Sequence, residues 1–83
     1  MRPPRDLSGH DLVRALAAFG YTVTRQTGSH TRLTTRQGGE HHVTVPQHSE
    51  LRVGTVSGIL GDVAKHFGMS RDELVERLFP KQR

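Results

Sequence analysis

The sequence has no cysteine and no tryptophan, and its 83 residues include only one tyrosine and three phenylalanines. Without cysteine the chain has no disulfide framework, no thiolate metal site and no cysteine nucleophile. No apolar run is long enough to span a membrane, and no apolar segment follows the charged first residues as it would in a secretory signal. These absences indicate one small domain with a thin core, and a cytoplasmic location is the default expectation.

The net charge of +4 is distributed unevenly along the chain. The stretch from Leu12 to Gly39 contains no carboxylate but has four arginines: Arg14, Arg25, Arg32 and Arg36. An acid-free basic stretch is typical of a phosphate-binding surface, although ordinary solubility charge gives the same totals. Several carboxylates are found later, at Asp62, Asp72, Glu73 and Glu76. This pattern slightly favours a nucleic-acid partner.

Periodicity predicts a helix followed by three strands. A capping-box-like start at Ser8 precedes apolar residues at helical spacing, and Gly20 is well placed to end that helix. Alternating β-forming residues predict strands at 21–26, 31–35 and 42–45, with a hairpin at 37–40. The short connections favour an antiparallel meander.

Two further helices follow the strands. The first spans about 54–67 and contains Gly58 and Gly61, each of which costs up to ~1 kcal/mol relative to alanine unless close packing on the sheet offsets it. The second begins at a capping box at Ser70 and ends before Pro80. The first five elements have the order of the double-stranded-RNA-binding fold, an α+β class in which both helices pack on one face of a three-stranded antiparallel sheet. The last helix is an addition to that fold.

Strand alternation predicts the two faces of the sheet. The residues expected to face the core are Tyr21, Val23, Leu33, Val43 and Val45. The opposite face is then polar and partly cationic, with Thr22, Thr24, Arg32, Thr34, His42 and Thr44. A sheet covered on one side only has this division. The few aromatic residues are expected in the core rather than as platforms for stacking bases.

The tripeptide Gly28–Ser29–His30 lies in a short polar break between two predicted strands. Glycine allows the backbone to bend sharply, and histidine exchanges protons near neutral pH. By alternation, His30 falls at the edge of the polar face. The tripeptide is too short to be specific, and on spacing alone an ordinary turn that ends in histidine is the simpler interpretation.

A longer set of residues resembles a known family over about positions 8–68. The segments that match are Leu12 to Phe19 with Gly20–Tyr21, Val23, Arg25–Gln26, Gly28–Ser29–His30, Val43 to Pro46 with His48, and Gly54–Thr55 before Ile59–Leu60. Together they are similar to the HicA toxins, the small ribonuclease partners of HicA/HicB toxin–antitoxin systems. The resemblance implies a double-stranded-RNA-binding-like fold, cleavage of mRNA, inhibition by a HicB-like antitoxin, and a catalytic histidine at His30.

The chain departs from that family in three respects. We expect a flexible lead at 1–7, a HicA-like domain at 8–68 and a C-terminal helical extension at 69–83. The predicted second helix has few of the basic residues common there in the family, with Ser57, Gly58 and Gly61 in their place and Lys65 alone remaining. This departure weakens the expectation of strong RNA affinity.

RNA can be cut without a metal because its own 2′-hydroxyl can attack the adjacent phosphate. His30 is suited to the proton transfer, and the backbone N–H groups of Gly28 and Ser29 are suited to a phosphate oxygen. The guanidinium groups of Arg25, Arg32 and Arg36 match phosphate geometry. The second proton carrier is left open among water, His42 and His48, of which His48 is a supporting candidate.

No cofactor and no metal are expected. The histidines at 41, 42 and 48 fit no standard zinc pattern, and no cysteine joins them. His10 and His66 are predicted to be helix-surface residues.

The leading hypothesis is therefore a toxin that acts as a metal-independent endoribonuclease on mRNA. The alternative is a non-catalytic RNA-binding module of the same fold, and a third possibility is a domain that binds only another protein chain. The expected partners are mRNA and a HicB-like antitoxin, with no membrane.

Overall fold

Seven elements of secondary structure follow one another in the computed structural model, which describes residues 3–4 and 6–80. They are α1 (Gly9–Leu16), a 3-10 turn (Ala17–Phe19), β1 (Thr22–Thr27), β2 (His30–Thr35), β3 (His41–Pro46), α2 (Val53–Phe67) and α3 (Arg71–Leu78). This order confirms the predicted α+β class, with the helix–three strands–helix arrangement of the double-stranded-RNA-binding fold and an added last helix.

The first helix begins and ends as its sequence predicts. The Ser8 hydroxyl accepts a hydrogen bond from the Asp11 backbone N–H at 2.9 Å, and the Asp11 carboxylate accepts one from the Ser8 N–H at 3.2 Å. These two bonds lower the pKa of the Asp11 carboxyl, because they favour its charged form. At the other end α1 tightens after Leu16 into the 3-10 turn, and it is this turn that Gly20 ends in a left-handed conformation, with φ of +83°.

The three strands form an antiparallel meander in the order β1–β2–β3, so β2 is the central strand. Gly38 and Gly39 both have positive φ in the turn between β2 and β3. Directly opposed residues of antiparallel strands point to the same side. We call the side of His30, Arg32 and Thr34 the outer face, because Thr31, Leu33 and Thr35 point to the other side and are buried.

A single apolar cluster fills the space between the sheet and the helices. Its largest fully buried apolar side chains are Leu12, Leu16, Leu33, Val45, Leu60, Val63, Leu74 and Val75. The buried Thr35 hydroxyl donates to the Phe19 carbonyl at 2.7 Å and accepts from the Gln37 N–H at 3.1 Å. Within the described residues, no buried side-chain nitrogen or oxygen lacks a partner. The helices therefore cover one face of the sheet and leave the outer face open, as predicted.

The prediction for Val23 is right about the side of the sheet but wrong about burial. Val23 pairs with Leu33, but its side chain is 51 % exposed, and every residue of β1 is exposed. The reason is that β1 is an edge strand, whereas α1 and α2 pack mainly over β3 at the opposite edge. The apolar alternation of β1 thus identifies its orientation correctly but overestimates its burial.

Close packing on the sheet does not explain the glycines of α2. A Cβ atom placed on Gly58 or Gly61 would meet no neighbouring atom within 4 Å, and the same is true of Gly54. The conformational cost of Gly58 and Gly61 is therefore not offset by a close approach of the helix to another element.

The two segments expected outside the HicA-like domain contribute to the same core. Leu7 is buried, and its carbonyl accepts a hydrogen bond from the Leu51 N–H at 2.8 Å. From α3, Leu74 and Val75 are buried in the common cluster, and the Arg71 guanidinium donates to the Ser57 hydroxyl of α2. Residues 1, 2 and 5 of the predicted lead and 81–83 of the predicted extension lie outside the described residues. The division at 8 and 68 stays a prediction.

None of the helices in the described part of the chain combines the length and the apolar character needed to cross a membrane.

Tyr21 occupies the core at the point where α1 passes into the sheet. Its side chain is 2 % exposed, and its hydroxyl lies 2.7 Å from Nδ1 of His41. Burial, together with the negative charge of Asp62, raises the pKa of Tyr21 to about 12. In the folded protein the phenol therefore stays neutral at pH values well above those at which an exposed tyrosine ionises.

Two glycine substitutions are predicted to have opposite effects on stability. Gly58→Ala should raise the free energy of unfolding by about 0.5–1 kcal/mol, because the helix gains propensity and the methyl group meets open space. Gly9→Ala should lower it by about 1–3 kcal/mol, because its Cβ would lie 2.1 Å from the Pro46 carbonyl oxygen. Urea denaturation followed by circular dichroism measures both. Equal effects at the two positions would contradict this account of their surroundings.

The buried phenol predicts a loss of stability at high pH. The unfolded chain releases the Tyr21 proton near pH 10 and the folded chain near pH 12, so the folded state binds more protons between these values. The free energy of unfolding should therefore fall by roughly 2–3 kcal/mol as the pH rises from about 10 to 12. Because the chain has one tyrosine, tyrosinate absorbance reports this group alone. A native midpoint equal to that in denaturant would contradict the prediction.

Candidate nucleic-acid interface

A two-residue turn joins β1 to β2 and presents His30. Thr27 pairs with His30, so Gly28 and Ser29 form the loop between them. Gly28 has φ of +57°, and Ser29 is not among the described non-glycine residues with positive φ. Positive φ at the first central position alone is the pattern of a type II′ turn, which requires glycine there. A Cβ atom on Gly28 would meet nothing within 4 Å, so the turn is open to a ligand.

His30 is the first residue of β2 and lies at the edge of the outer face. It is exposed, and it sits between Thr27 of β1 and Pro46 of β3. Among the described residues, no ion pair joins His30 to a carboxylate. The imidazole is therefore accessible, and within residues 3–4 and 6–80 it has no ion-paired carboxylate that would compete with a phosphate.

An irregularity in β1 changes the direction of Arg25. The strand register shifts between Val23 and Arg25, so that Thr24 is the extra residue and Arg25 stands directly opposite Arg32. Strict alternation would have placed Arg25 on the same side as Val23. The bulge instead places both guanidinium-bearing residues on the outer face.

The pair formed by Arg25 and Arg32 is electrostatically unfavourable without a ligand. Like charges directly opposite each other on neighbouring strands destabilise a sheet. Both residues are exposed, and an anion bound between them would convert the repulsion into attraction. Arg32 follows His30 by two residues on the same face, which corresponds to roughly 7 Å along the strand. This separation allows one phosphate group to lie between the imidazole and the arginine pair.

Three segments that are distant in sequence meet beside the turn. The Ser29 carbonyl accepts a hydrogen bond from the Gln47 N–H, and the His48 carbonyl accepts one from the Gly9 N–H at 3.0 Å. His48 therefore lies just beyond the end of β3, next to both the turn and the start of α1. Its side chain is exposed. The structure thus brings together Gly28, Ser29, His30 and His48, with Arg25 and Arg32 adjacent.

Two other candidate residues lie farther away. His42 pairs with Thr34, four residues along β2 from His30, which corresponds to roughly 13 Å. Arg36 follows the end of β2, six residues from His30 and therefore roughly 20 Å away. Neither residue can contact a phosphate held at His30, so His42 does not fit the role of second proton carrier at that phosphate.

The histidines do not converge on a metal. His41 and His42 are consecutive residues of β3, so their side chains point to opposite faces of the sheet. The part of the chain that the structure describes contains no group of three or more histidine, cysteine, aspartate or glutamate side chains placed to hold a metal ion.

The prediction that His66 is an ordinary helix-surface residue needs correction. Its ring is partly buried and stacks on His41, with 4.4 Å between the ring centroids and 12° between the planes. His66 Nε2 lies 3.0 Å from the Gln37 carbonyl oxygen, and His41 Nε2 lies 3.8 Å from the Asp62 carboxylate. The end of α2 is therefore attached to the turn between β2 and β3.

A chain of hydrogen bonds crosses all three strands on the outer face and was not predicted. The Glu40 carboxylate lies 3.0 Å from Nε2 of His42, whose Nδ1 lies 2.7 Å from the Thr34 hydroxyl. The Thr34 hydroxyl in turn lies 2.8 Å from that of Thr24. The sequence predicted that this face is polar. It did not predict which of these polar side chains would bond to each other, because that depends on the strand register and on the bulge.

Comparison with known proteins gives one family. The model of the family described as the HicA toxin of bacterial toxin–antitoxin matches residues 9–69, which include α1, the whole sheet, α2 and the turn that carries His30. No match was found among curated proteins or among solved structures. Since the matched region spans well over half of the chain, the protein belongs to the HicA toxin family of bacterial toxin–antitoxin systems.

Proposed function

We propose that this toxin is a metal-independent endoribonuclease that cleaves mRNA, with His30 as a general acid or base. The observation that supports the proposal is an exposed imidazole beside a cross-strand pair of arginines, Arg25 and Arg32, on an uncovered sheet face. An imidazole moves protons, and paired guanidinium groups bind a phosphate and stabilise the negative charge that develops on it. The two functions are needed together for phosphodiester cleavage.

The reaction uses a nucleophile that the substrate supplies. The ribose 2′-hydroxyl loses its proton and attacks the adjacent phosphorus, and the bond from phosphorus to the 5′-oxygen breaks as that oxygen gains a proton. The products are a 2′,3′-cyclic phosphate and a 5′-hydroxyl. The open turn at Gly28 and Ser29 allows a phosphate oxygen to approach the backbone closely, where N–H groups can stabilise it.

A second group must carry the other proton, because one imidazole cannot be acid and base in the same instant. We propose His48 for this role, since the hydrogen bonds at Gln47 and Gly9 hold its backbone beside the turn. His48 is exposed and has no ion pair with a carboxylate among the described residues. Water is the remaining alternative for this proton.

The partners follow from the family and from the charge of the outer face. A toxin of this family pairs with an antitoxin, and we propose a HicB-like protein that covers Arg25, Arg32 and His30. We propose mRNA in the cytoplasm as the substrate, and the segment 8–68 as the part that recognises it. Since α2 contains no arginine and Lys65 as its only lysine, we propose that the outer face supplies most of the phosphate contacts.

The His30→Ala substitution tests the mechanism. Purified wild-type protein should cut single-stranded RNA in EDTA and leave 2′,3′-cyclic phosphate and 5′-hydroxyl ends. The variant should lose roughly 10²–10⁴-fold in rate because it lacks the proton-transfer group. RNA end analysis and gel electrophoresis measure both, and circular dichroism checks the fold. His66→Ala is the matched control, since His66 lies on α2 beside Gln37, at the other end of β2 from His30.

Full activity of the His30→Ala protein would remove His30 from the mechanism. Intact RNA after long incubation with folded wild-type protein, together with salt-sensitive binding, would favour the non-catalytic RNA-binding module instead. Absence of RNA binding even at low salt would favour a domain that binds only protein.

The His48→Gln substitution tests the second proton carrier. If His48 moves a proton, its loss should lower kcat by about 10²-fold or more with little change in KM, and the pH–rate profile should lose one limb. Glutamine keeps hydrogen-bonding capacity and leaves the backbone bonds of this loop in place. An unchanged profile would assign the second proton to water.

A further inference from the structure

The outer face continues beyond Arg32 into a shallow pocket at its far end. The residues that line this pocket, called the threonine pocket below, are Gly20, Thr22, Thr24, Thr34, Arg36 and Gln37. Three of its side chains present hydroxyl groups, and the exposed guanidinium of Arg36 lies at its margin. The pocket is an open depression with a volume of about 570 Å³.

The hydroxyl groups of this pocket are held in fixed positions. Thr34 lies between the Thr24 hydroxyl at 2.8 Å and Nδ1 of His42 at 2.7 Å. His42 is in turn oriented by Glu40, whose carboxylate lies 3.0 Å from Nε2. A hydrogen-bonded chain of this kind lowers the rotational freedom of each of its side chains. Less conformational entropy is therefore lost when a ligand binds these side chains. His42 and Glu40 are thus positioning residues for Thr34 and Thr24.

The chemistry of the threonine pocket selects its occupant. Hydroxyl groups exchange hydrogen bonds with ribose hydroxyls, and a guanidinium binds phosphate. The stretch from Leu12 to Gly39, which supplies every residue of the pocket, contains no carboxylate. The nearby Glu40 carboxylate is paired with His42. A polyanion with hydroxyl groups is therefore favoured over an acidic peptide, which would offer charge but no hydroxyl partners.

The arrangement along β2 connects this pocket to His30. His30, Arg32 and Thr34 alternate outward on one strand, so imidazole, guanidinium and hydroxyl follow each other at intervals of roughly 7 Å. We propose that the threonine pocket is a distal subsite that binds a ribose–phosphate unit of the RNA strand whose scissile phosphate lies at His30. This inference rests on the proposed function and assigns Arg36 to a contact a few nucleotides from the point of cleavage.

The test measures RNA binding as a function of RNA length. All variants are made in a His30→Ala background, so that binding is measured without cleavage. Fluorescence anisotropy is recorded with a labelled dinucleotide, which spans roughly 7 Å and cannot bridge His30 and the threonine pocket, and with a single-stranded decanucleotide. Arg36→Gln and Thr34→Val remove the guanidinium and the hydroxyl. The matched controls are Arg14→Gln on α1 and Thr55→Val on α2, both away from the outer face of the sheet.

The proposal predicts length-dependent losses. Arg36→Gln should weaken decanucleotide binding roughly tenfold and reduce the slope of log K against log salt by about 0.7, the value for one phosphate contact of a single strand. Thr34→Val should weaken it about threefold to tenfold. Neither variant should change dinucleotide binding at His30, and the controls should bind both RNAs as the parent does. Arg36 follows the strand and is exposed, so its variant tests the subsite even if Thr34→Val is less stable.

Two outcomes would overturn the subsite. One is an equal loss of affinity for the short and the long RNA, which would show a general effect of the substitution on net charge or on the fold. The other is an unchanged affinity for the decanucleotide, which would indicate that this end of the outer face binds a protein partner rather than RNA. Both differ from failure of the proposed function, in which the wild-type protein leaves RNA intact whatever the length dependence of binding.

Discussion

The register of the central strand β2 determines both the core and the functional surface of this protein. Its two neighbours fix which residues point outward, namely His30, Arg32 and Thr34, while Thr31, Leu33 and Thr35 point into the core. A shift of one residue would exchange the two sets and would bury charged groups without partners. Burial of Leu33 therefore stabilises the fold and at the same time orients the imidazole and the guanidinium group toward solvent.

Much of the fold was predictable because the signals are local. The caps at Ser8, Gly20 and Ser70 are properties of a few adjacent residues, and their hydrogen bonds and φ values agree with the prediction. The alternation of β2 and β3 also gave the outer face correctly. The exposure of Val23 was not predictable, because it depends on which edge of the sheet the helices cover.

The candidate site was predictable only in part, for a related reason. The motif at His30 is contiguous, so its place at a turn follows from the sequence. Arg25 needs a bulge to face Arg32, and His48 reaches the turn through hydrogen bonds of Gln47 and Gly9. These contacts join segments that only the folded chain brings together. The separation of Arg36 from His30 likewise follows from strand length rather than from any property of either residue.

The arginine pair on the outer face links occupancy of the surface to the stability of the toxin. Two arginines opposed across β1 and β2 disfavour each other's charge while the surface is empty, so a polyanion that binds there offsets this repulsion. By mass action such a ligand raises the melting temperature, whether it is a nucleic acid or an antitoxin. A protein partner that covers these arginines therefore gains most from acidic side chains facing them, and its binding also stabilises the folded state of the toxin.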